Sequence, residues 1–201
     1  MGAEARGGAV LQRGSIPRGR SRRRLRGVHG GGRVLSPEAF TARLAQLQSD
    51  PTTLLTIANA GLSVLAGRPH VDVGRLAVLG YCFGGTMALE LGRSGADVRS
   101  IVALHAGLEP IGAASADPIT ARVFAAVGTD DPLIPTAQHD PFRQEMATRG
   151  ADYVLEVFDG VGHCFTNTAV DALGIPGIAY DEATDRSTWA SMSALFAETI
   201  G

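Results

Sequence analysis

Lysine is missing from this chain, in which all 18 Lys and Arg residues are arginine. Cysteine is scarce as well, with two in 201 residues, and too few to build a disulfide framework. Reduced thiols and a cytoplasmic location are therefore the expectation. No apolar run is long enough to span a membrane, and the first thirty residues lack the hydrophobic stretch of a secretory signal.

Metal and phosphate motifs are also missing. No group of His, Cys or acidic residues has the spacing of metal ligands, and the glycines at 30–32 follow no predicted strand. The sequence therefore predicts no metal and no cofactor.

Charge divides the chain into two parts. Residues 1–33 contain nine arginines and one acidic residue, a net charge of +8, which leaves about −10 on residues 34–201. The basic, Gly- and Arg-rich head shows no hydrophobic period, and we predict that it is disordered. It could be a nucleic-acid-binding arm, a transit peptide, or a segment foreign to the domain. The acidic charge of the body argues against a nucleic-acid-binding core.

The body shows an alternation of helices and apolar strands. Two capped amphipathic helices are predicted after Ser36 and after Asp50, each with proline at its first position. Four strand-like runs follow at 75–81, 98–106, 121–129 and 152–160, separated by helices or loops, and a last helix ends the chain. Continuous apolar strands between helices predict a mainly parallel sheet covered on both faces.

The segment "VLGYCFGG" places Cys82 between glycines at the turn from the first of these strands into a helix. This is the G-x-nucleophile-x-G arrangement, in which glycines allow the backbone to approach closely. The N-terminus of the following helix favours the thiolate, and the Phe83 N–H can donate to an oxyanion. The alternative is that Cys82 is a small buried hydrophobic residue.

A base and an orienting acid are available at the same edge of the predicted sheet. "GTDDPLIP" follows the third strand and offers Asp130 and Asp131, either of which could instead form a turn or helix cap. His163 follows the fourth strand, and its alternative is an exposed loop histidine. The chain order nucleophile, acid, histidine is that of α/β hydrolases.

These three segments, "GYCFGG", "GTDDPLIP" and "GVGHCF", resemble the dienelactone hydrolase family over residues 34–201. The resemblance implies a three-layer α/β-hydrolase fold and a Cys82–Asp131–His163 triad, because the family's acid lies just ahead of a step that matches Pro132–Pro135. It also implies a small-molecule ester or lactone substrate, hydrolysed through a cysteine acyl-enzyme. The sequence indicates no membrane partner and no oligomeric state.

Two departures from the family are visible. The residues before Ser36 lack the family's early strands, one of whose loops supplies a second oxyanion donor. We therefore expect an N-terminally truncated or altered domain, with an unpaired edge beside the nucleophile strand. Thr166, Asn167 and Thr168 stand where a substrate-binding arginine is expected, which weakens the case for dienelactone itself. A weakly active or non-catalytic fragment is thus the first alternative to an active hydrolase, and nucleic-acid binding by the head is the second.

Two further residues, Cys164 and His105, are interpreted mainly as structural. Cys164 could form a redox-sensitive disulfide with Cys82, although a packed loop thiol is the simpler interpretation. His105 ends the second predicted strand and is interpreted as structural.

Overall fold

The computed structural model describes residues 10–13, 36–112 and 117–201, with residues 10–13 described by their backbone. The helices are α1 Pro37–Ser49, α2 Pro51–Ala66, α3 Phe83–Arg93, α4 His139–Thr148 and α5 Glu182–Ile200. The strands are β1 Val10–Arg13, β2 Leu76–Tyr81, β3 Ser100–Leu104, β4 Arg122–Gly128 and β5 Tyr153–Phe158. Among these residues, no helix combines the length and apolarity needed to cross a bilayer.

The predicted helix starts are confirmed. The Ser36 hydroxyl accepts a hydrogen bond from the Ala39 N–H at 3.3 Å, and the Asp50 carboxylate accepts one from the Thr53 N–H at 2.9 Å. Each bond satisfies one of the donors that the first helical turn leaves without an intrahelical partner.

The strands form one sheet in the order β1-β2-β3-β4-β5. The four strands β2 to β5 are parallel, in agreement with the expected sheet, whereas β1 runs antiparallel to β2 with Val10 opposite Leu79. All parallel strands therefore end at one edge of the sheet, where the loops after β2, β3, β4 and β5 meet.

Strand β1 differs from the expectation for the head. Residues 10–13 pair with the edge of β2, so they depart from the predicted disorder, and that edge is not left unpaired. The backbone groups of an exposed strand edge need partners, and a passing segment of the same chain supplies them here. The rest of the predicted head lies outside the described residues.

Alternate residues of the strands pack on opposite faces of the sheet. Val78, Ile101, Ala103, Val123 and Ala125 face α3 and α4, and their neighbours Ala77, Leu79, Val102, Leu104, Phe124 and Ala126 face α5. The period-2 pattern of a strand thus supplies two cores, and the result is the predicted three-layer arrangement.

A buried ionic cluster fastens α3 to α4. Arg93 contacts Glu90 at 2.9 Å and Glu145 at 2.7 Å, and its guanidinium also donates to the Leu108 carbonyl. Charge-assisted hydrogen bonds to both carboxylates offset the cost of burying the Arg93 guanidinium. The cluster fixes the helix that begins at Phe83.

Candidate active site

Cys82 lies at the junction between β2 and α3, as predicted. Its φ of 53° and ψ of −130° are strained for a residue with a side chain. The Cys82 N–H donates to the Leu104 carbonyl at 2.9 Å, and the Cys82 carbonyl accepts from the Gly85 N–H at 2.9 Å. These bonds hold the strained residue between the end of β3 and the first turn of α3.

The glycines around the turn are required by close packing. A Cβ at Gly80 would lie 2.0 Å from the Gly84 carbonyl oxygen, and one at Gly85 would lie 2.6 Å from the Ala106 Cβ. Both distances are far inside van der Waals contact. With larger residues at these two positions, the turn that presents Cys82 could not keep this geometry.

The imidazole of His163 lies between Cys82 and Asp131. His163 Nε2 is 3.1 Å from the Cys82 Sγ, and His163 Nδ1 is 2.7 Å from an Asp131 carboxylate oxygen. The His163 N–H donates to the Gly177 carbonyl, and the His163 carbonyl accepts from the Ala179 N–H. Backbone bonds on both sides thus fix the position of the ring.

Asp131 is the acid that the structure brings to the histidine. Its Oδ1 accepts the N–H groups of Leu133 at 2.8 Å and Ile134 at 3.0 Å, while Oδ2 faces His163. Asp130 is exposed and lies beside the Thr129 hydroxyl. Asp131 therefore also forms the turn that the sequence offered as its alternative role, and this turn orients the carboxylate toward the histidine.

The surroundings of His163 favour its charged form. Burial alone would lower its pKa, but hydrogen bonds to Asp131, Cys164 and Cys82, together with the charge of Cys82, raise the pKa of His163 to about 12. A protonated His163 ring lies between a carboxylate and a sulfur, so its positive charge is next to both groups.

Phe83 is the first residue of α3. Its N–H is one of the donors that the first turn of a helix leaves without an intrahelical partner. It follows Cys82 directly in the chain, and its role as an oxyanion donor stays a prediction.

His105 is a member of the site that the sequence did not indicate. It follows β3 directly with a φ of 40°, and its ring packs edge to face against His163 with 5.1 Å between ring centroids. Its Nε2 lies 2.9 Å from the Thr166 hydroxyl, three residues beyond His163. Burial, and then the charge of His163, lower the pKa of His105 to about 3, so this ring is neutral. Its position directly after the strand beside β2 is the signal that could have revealed it.

Cys164 lies close to both His105 and His163. The ligand atoms of His105, His163 and Cys164 lie within 4.8 Å of one another. These are residue types that bind zinc and related ions, although their spacing along the chain does not suggest such a site. Both cysteines are half-buried free thiols.

Comparisons with known proteins agree with this architecture. A dienelactone hydrolase-like promiscuous phosphotriesterase from metagenomic libraries matches with a TM-score of 0.82 and 32% identity, covering 87% of this chain and 73% of that one. A solved structure named m3DLH has the same TM-score and coverages with 38% identity. A Bradyrhizobium protein named "Probable 2-oxo-3-(5-oxofuran-2-ylidene)propanoate lactonase" is 30% identical over 132 residues, which are 61% of this chain and 53% of that protein.

The fold and the family resemblance expected from the sequence are confirmed by these matches. The model of the dienelactone hydrolase family matches residues 31–200, which include β2 to β5 and all three residues that meet at the sheet edge. This chain, with its α/β-hydrolase fold, belongs to the dienelactone hydrolase family.

Proposed function

We propose that the protein hydrolyses small-molecule esters or lactones through a cysteine acyl-enzyme. The observation that carries the proposal is the chain of contacts from Cys82 to His163 at 3.1 Å and from His163 to Asp131 at 2.7 Å. A nucleophile, a base and an orienting acid within hydrogen-bond reach are what covalent hydrolysis requires.

In the first half of the reaction, the Cys82 thiolate adds to the carbonyl carbon and the carbonyl oxygen becomes an oxyanion. The Phe83 N–H donates to this oxyanion. The tetrahedral intermediate then collapses: the bond from carbon to the leaving oxygen breaks, and His163 Nε2 gives its proton to that oxygen. The product of this half is a thioester on Cys82 and a free alcohol, or a ring-opened chain if the substrate is a lactone.

In the second half, water attacks the thioester carbon and gives a proton to His163 Nε2. The carbon–sulfur bond breaks, the carboxylic acid leaves, and the thiolate is restored beside the protonated ring. Asp131 holds Nδ1 throughout, which keeps Nε2 directed at the sulfur and favours the charged ring.

Replacement of the nucleophile tests this proposal. Cys82→Ala should abolish hydrolysis of a chromogenic ester such as a nitrophenyl acetate, while the thermal unfolding midpoint stays near that of the parent protein. Hydrolysis by Cys82→Ala at the parent rate would show that the sulfur is not the nucleophile.

An aryl phosphotriester is a second candidate substrate. The observation that favours it is the similarity to the promiscuous phosphotriesterase, at 32% identity over 87% of this chain. The same thiolate would attack phosphorus and expel the aryl oxide, and water would then cleave the sulfur–phosphorus bond. Release of nitrophenol from a nitrophenyl dialkyl phosphate, lost in Cys82→Ala, is the expected result, and no release above the background rate would remove this candidate.

The alternatives from the sequence predict different results. A non-catalytic fragment would leave the ester rate at the buffer background in the parent protein as well. Nucleic-acid binding by the basic head falls mainly on residues outside the described range, and a salt-dependent gel shift lost on deletion of residues 1–33 would support it. The cytoplasmic location stays a prediction.

A further inference from the structure

His105, His163 and Cys164 bring two imidazoles and a thiol together beside the proposed nucleophile. One ligand atom from each lies within 4.8 Å of the other two. Imidazole nitrogen and thiolate sulfur bind Zn²⁺ at about 2.0–2.1 Å and 2.3 Å, so ligands of one zinc ion lie roughly 3–4 Å apart. Small side-chain rotations would bring these atoms to that spacing.

The nitrogen of His105 available to a metal ion is Nδ1. Its other nitrogen, Nε2, lies 2.9 Å from the Thr166 hydroxyl, and His105 is only 3% exposed. Nδ1 has no hydrogen-bond partner among the described residues. A buried ring nitrogen without a partner is costly and therefore suited to accept one.

The nitrogen of His163 available to a metal ion is Nε2, because Nδ1 is held by the Asp131 carboxylate at 2.7 Å. A carboxylate on the far nitrogen of a histidine is a common outer partner of zinc-binding histidines, where it orients the ring and increases its basicity. Asp131 would thus serve a bound ion in the same way as it serves the proposed triad.

The separation of the two rings also fits a shared ion. Each imidazole on a tetrahedral zinc has its ring centre about 3.2 Å from the metal, so two such rings lie about 5.2 Å apart. The rings of His105 and His163 have centroids 5.1 Å apart. The separation of the two rings is therefore compatible with both binding one tetrahedral ion.

We propose that His105 Nδ1, His163 Nε2 and Cys164 Sγ form a binding site for a borderline-soft divalent cation such as Zn²⁺. Cys164 binds as the thiolate and its proton passes to solvent, as does any proton on His163 Nε2. Because the ion occupies the nitrogen that contacts the Cys82 sulfur, a bound ion inhibits the enzyme reversibly. This inhibition, but not the binding itself, depends on the function proposed above.

Cobalt substitution tests the binding without any activity measurement. Co²⁺ added to the full-length protein should produce a sulfur-to-cobalt charge-transfer band in the near ultraviolet. Zn²⁺ should displace the cobalt ion and abolish the band. Two matched variants assign the sulfur: the band should remain in Cys82→Ser and be lost in Cys164→Ser. The thermal unfolding midpoint of each metal-free variant shows that it is folded.

The pattern of these spectra decides the proposal. A band that follows Cys82, or no band in the parent protein, would overturn it, whether or not the protein hydrolyses esters. His105→Gln should weaken Zn²⁺ binding by at least about tenfold, since loss of an outer partner alone costs 10–100-fold at known sites. Unchanged affinity in folded His105→Gln would equally contradict the site. If the protein hydrolyses esters, Zn²⁺ should inhibit it, and a chelator should restore the rate.

Discussion

Replacing Asp131 by asparagine probes the orientation of His163. Oδ1 of Asp131 accepts two backbone N–H groups, at 2.8 Å and 3.0 Å, and an asparagine carbonyl can keep both bonds. The amide NH₂ must then face His163 Nδ1, where the carboxylate oxygen now lies at 2.7 Å. Because an NH₂ group can only donate, Nδ1 becomes the acceptor and the ring proton moves to Nε2.

The expected loss of kcat follows from the loss of the proton acceptor at Nε2. A neutral histidine with its proton on Nε2 cannot take a proton from the thiol or from the attacking water. General acid–base catalysis contributes about 10²–10⁴-fold, so Asp131→Asn should lower kcat by about that factor, or about 3–5 kcal/mol in the barrier. KM should change little, since the carboxylate is buried behind the ring.

The neighbouring acid gives a matched control for this assay. Asp130→Asn removes an adjacent carboxylate that is exposed and does not contact His163, so its kcat for a chromogenic ester should stay near that of the parent protein. Equal losses in the two variants, or a parent-like rate in folded Asp131→Asn, would show that Asp131 does not set the tautomer of His163.

Three further predictions concern stability. Gly85→Ala should lower the free energy of unfolding, measured in urea, by about 1–3 kcal/mol or more, because the new Cβ overlaps its neighbours. Gly61→Ala is the control: its Cβ meets nothing within 4 Å in helix α2, so this variant should be more stable than the parent by about 0.5–1 kcal/mol. His105 is neutral when folded, with its pKa lowered from 6.5 to about 3, so its contribution to stability is complete above pH 6.5 and is lost as the pH falls toward 3. Between pH 6.5 and 5, the free energy of unfolding measured in urea should therefore fall by about 2 kcal/mol more in the parent protein than in His105→Gln. An equal fall in the two proteins would contradict this. Arg93→Ala leaves the buried Glu90 carboxylate without its cation, whereas Glu145 keeps its contact with Arg149, and the change should cost about 3–5 kcal/mol. Arg143→Ala breaks an exposed pair and should cost less than about 1 kcal/mol, and equal costs would count against the buried cluster.

The sequence predicted those parts of the fold that depend on local patterns. The caps at Ser36 and Asp50 and the four parallel strands follow from residues close together in the chain, and the structure confirms them. The turn at Cys82 was predicted because the close approach of Gly80 to Gly84 lies within the motif itself.

Features that depend on distant contacts were harder to predict. Strand β1 has only four residues, Val10–Arg13, and it pairs with the edge of β2 from a region without a hydrophobic period. His105 directly follows β3, which was a usable signal, but the contact of its ring with His163 joins residues far apart in the chain and is not predicted by spacing. From the residues alone Asp130 and Asp131 were equivalent, since only the packed loop determines which carboxylate faces the histidine.

Trapping the covalent intermediate tests the proposed function most directly. The protein is mixed with a chromogenic acetate ester, quenched in acid during turnover and digested, and the peptides are examined by mass spectrometry. We expect an acetyl group on the peptide that contains Cys82, bound as a thioester that hydroxylamine removes. Steady release of nitrophenol while Cys82 remains unmodified, or an acetyl group on another residue instead, would show that Cys82 is not the nucleophile.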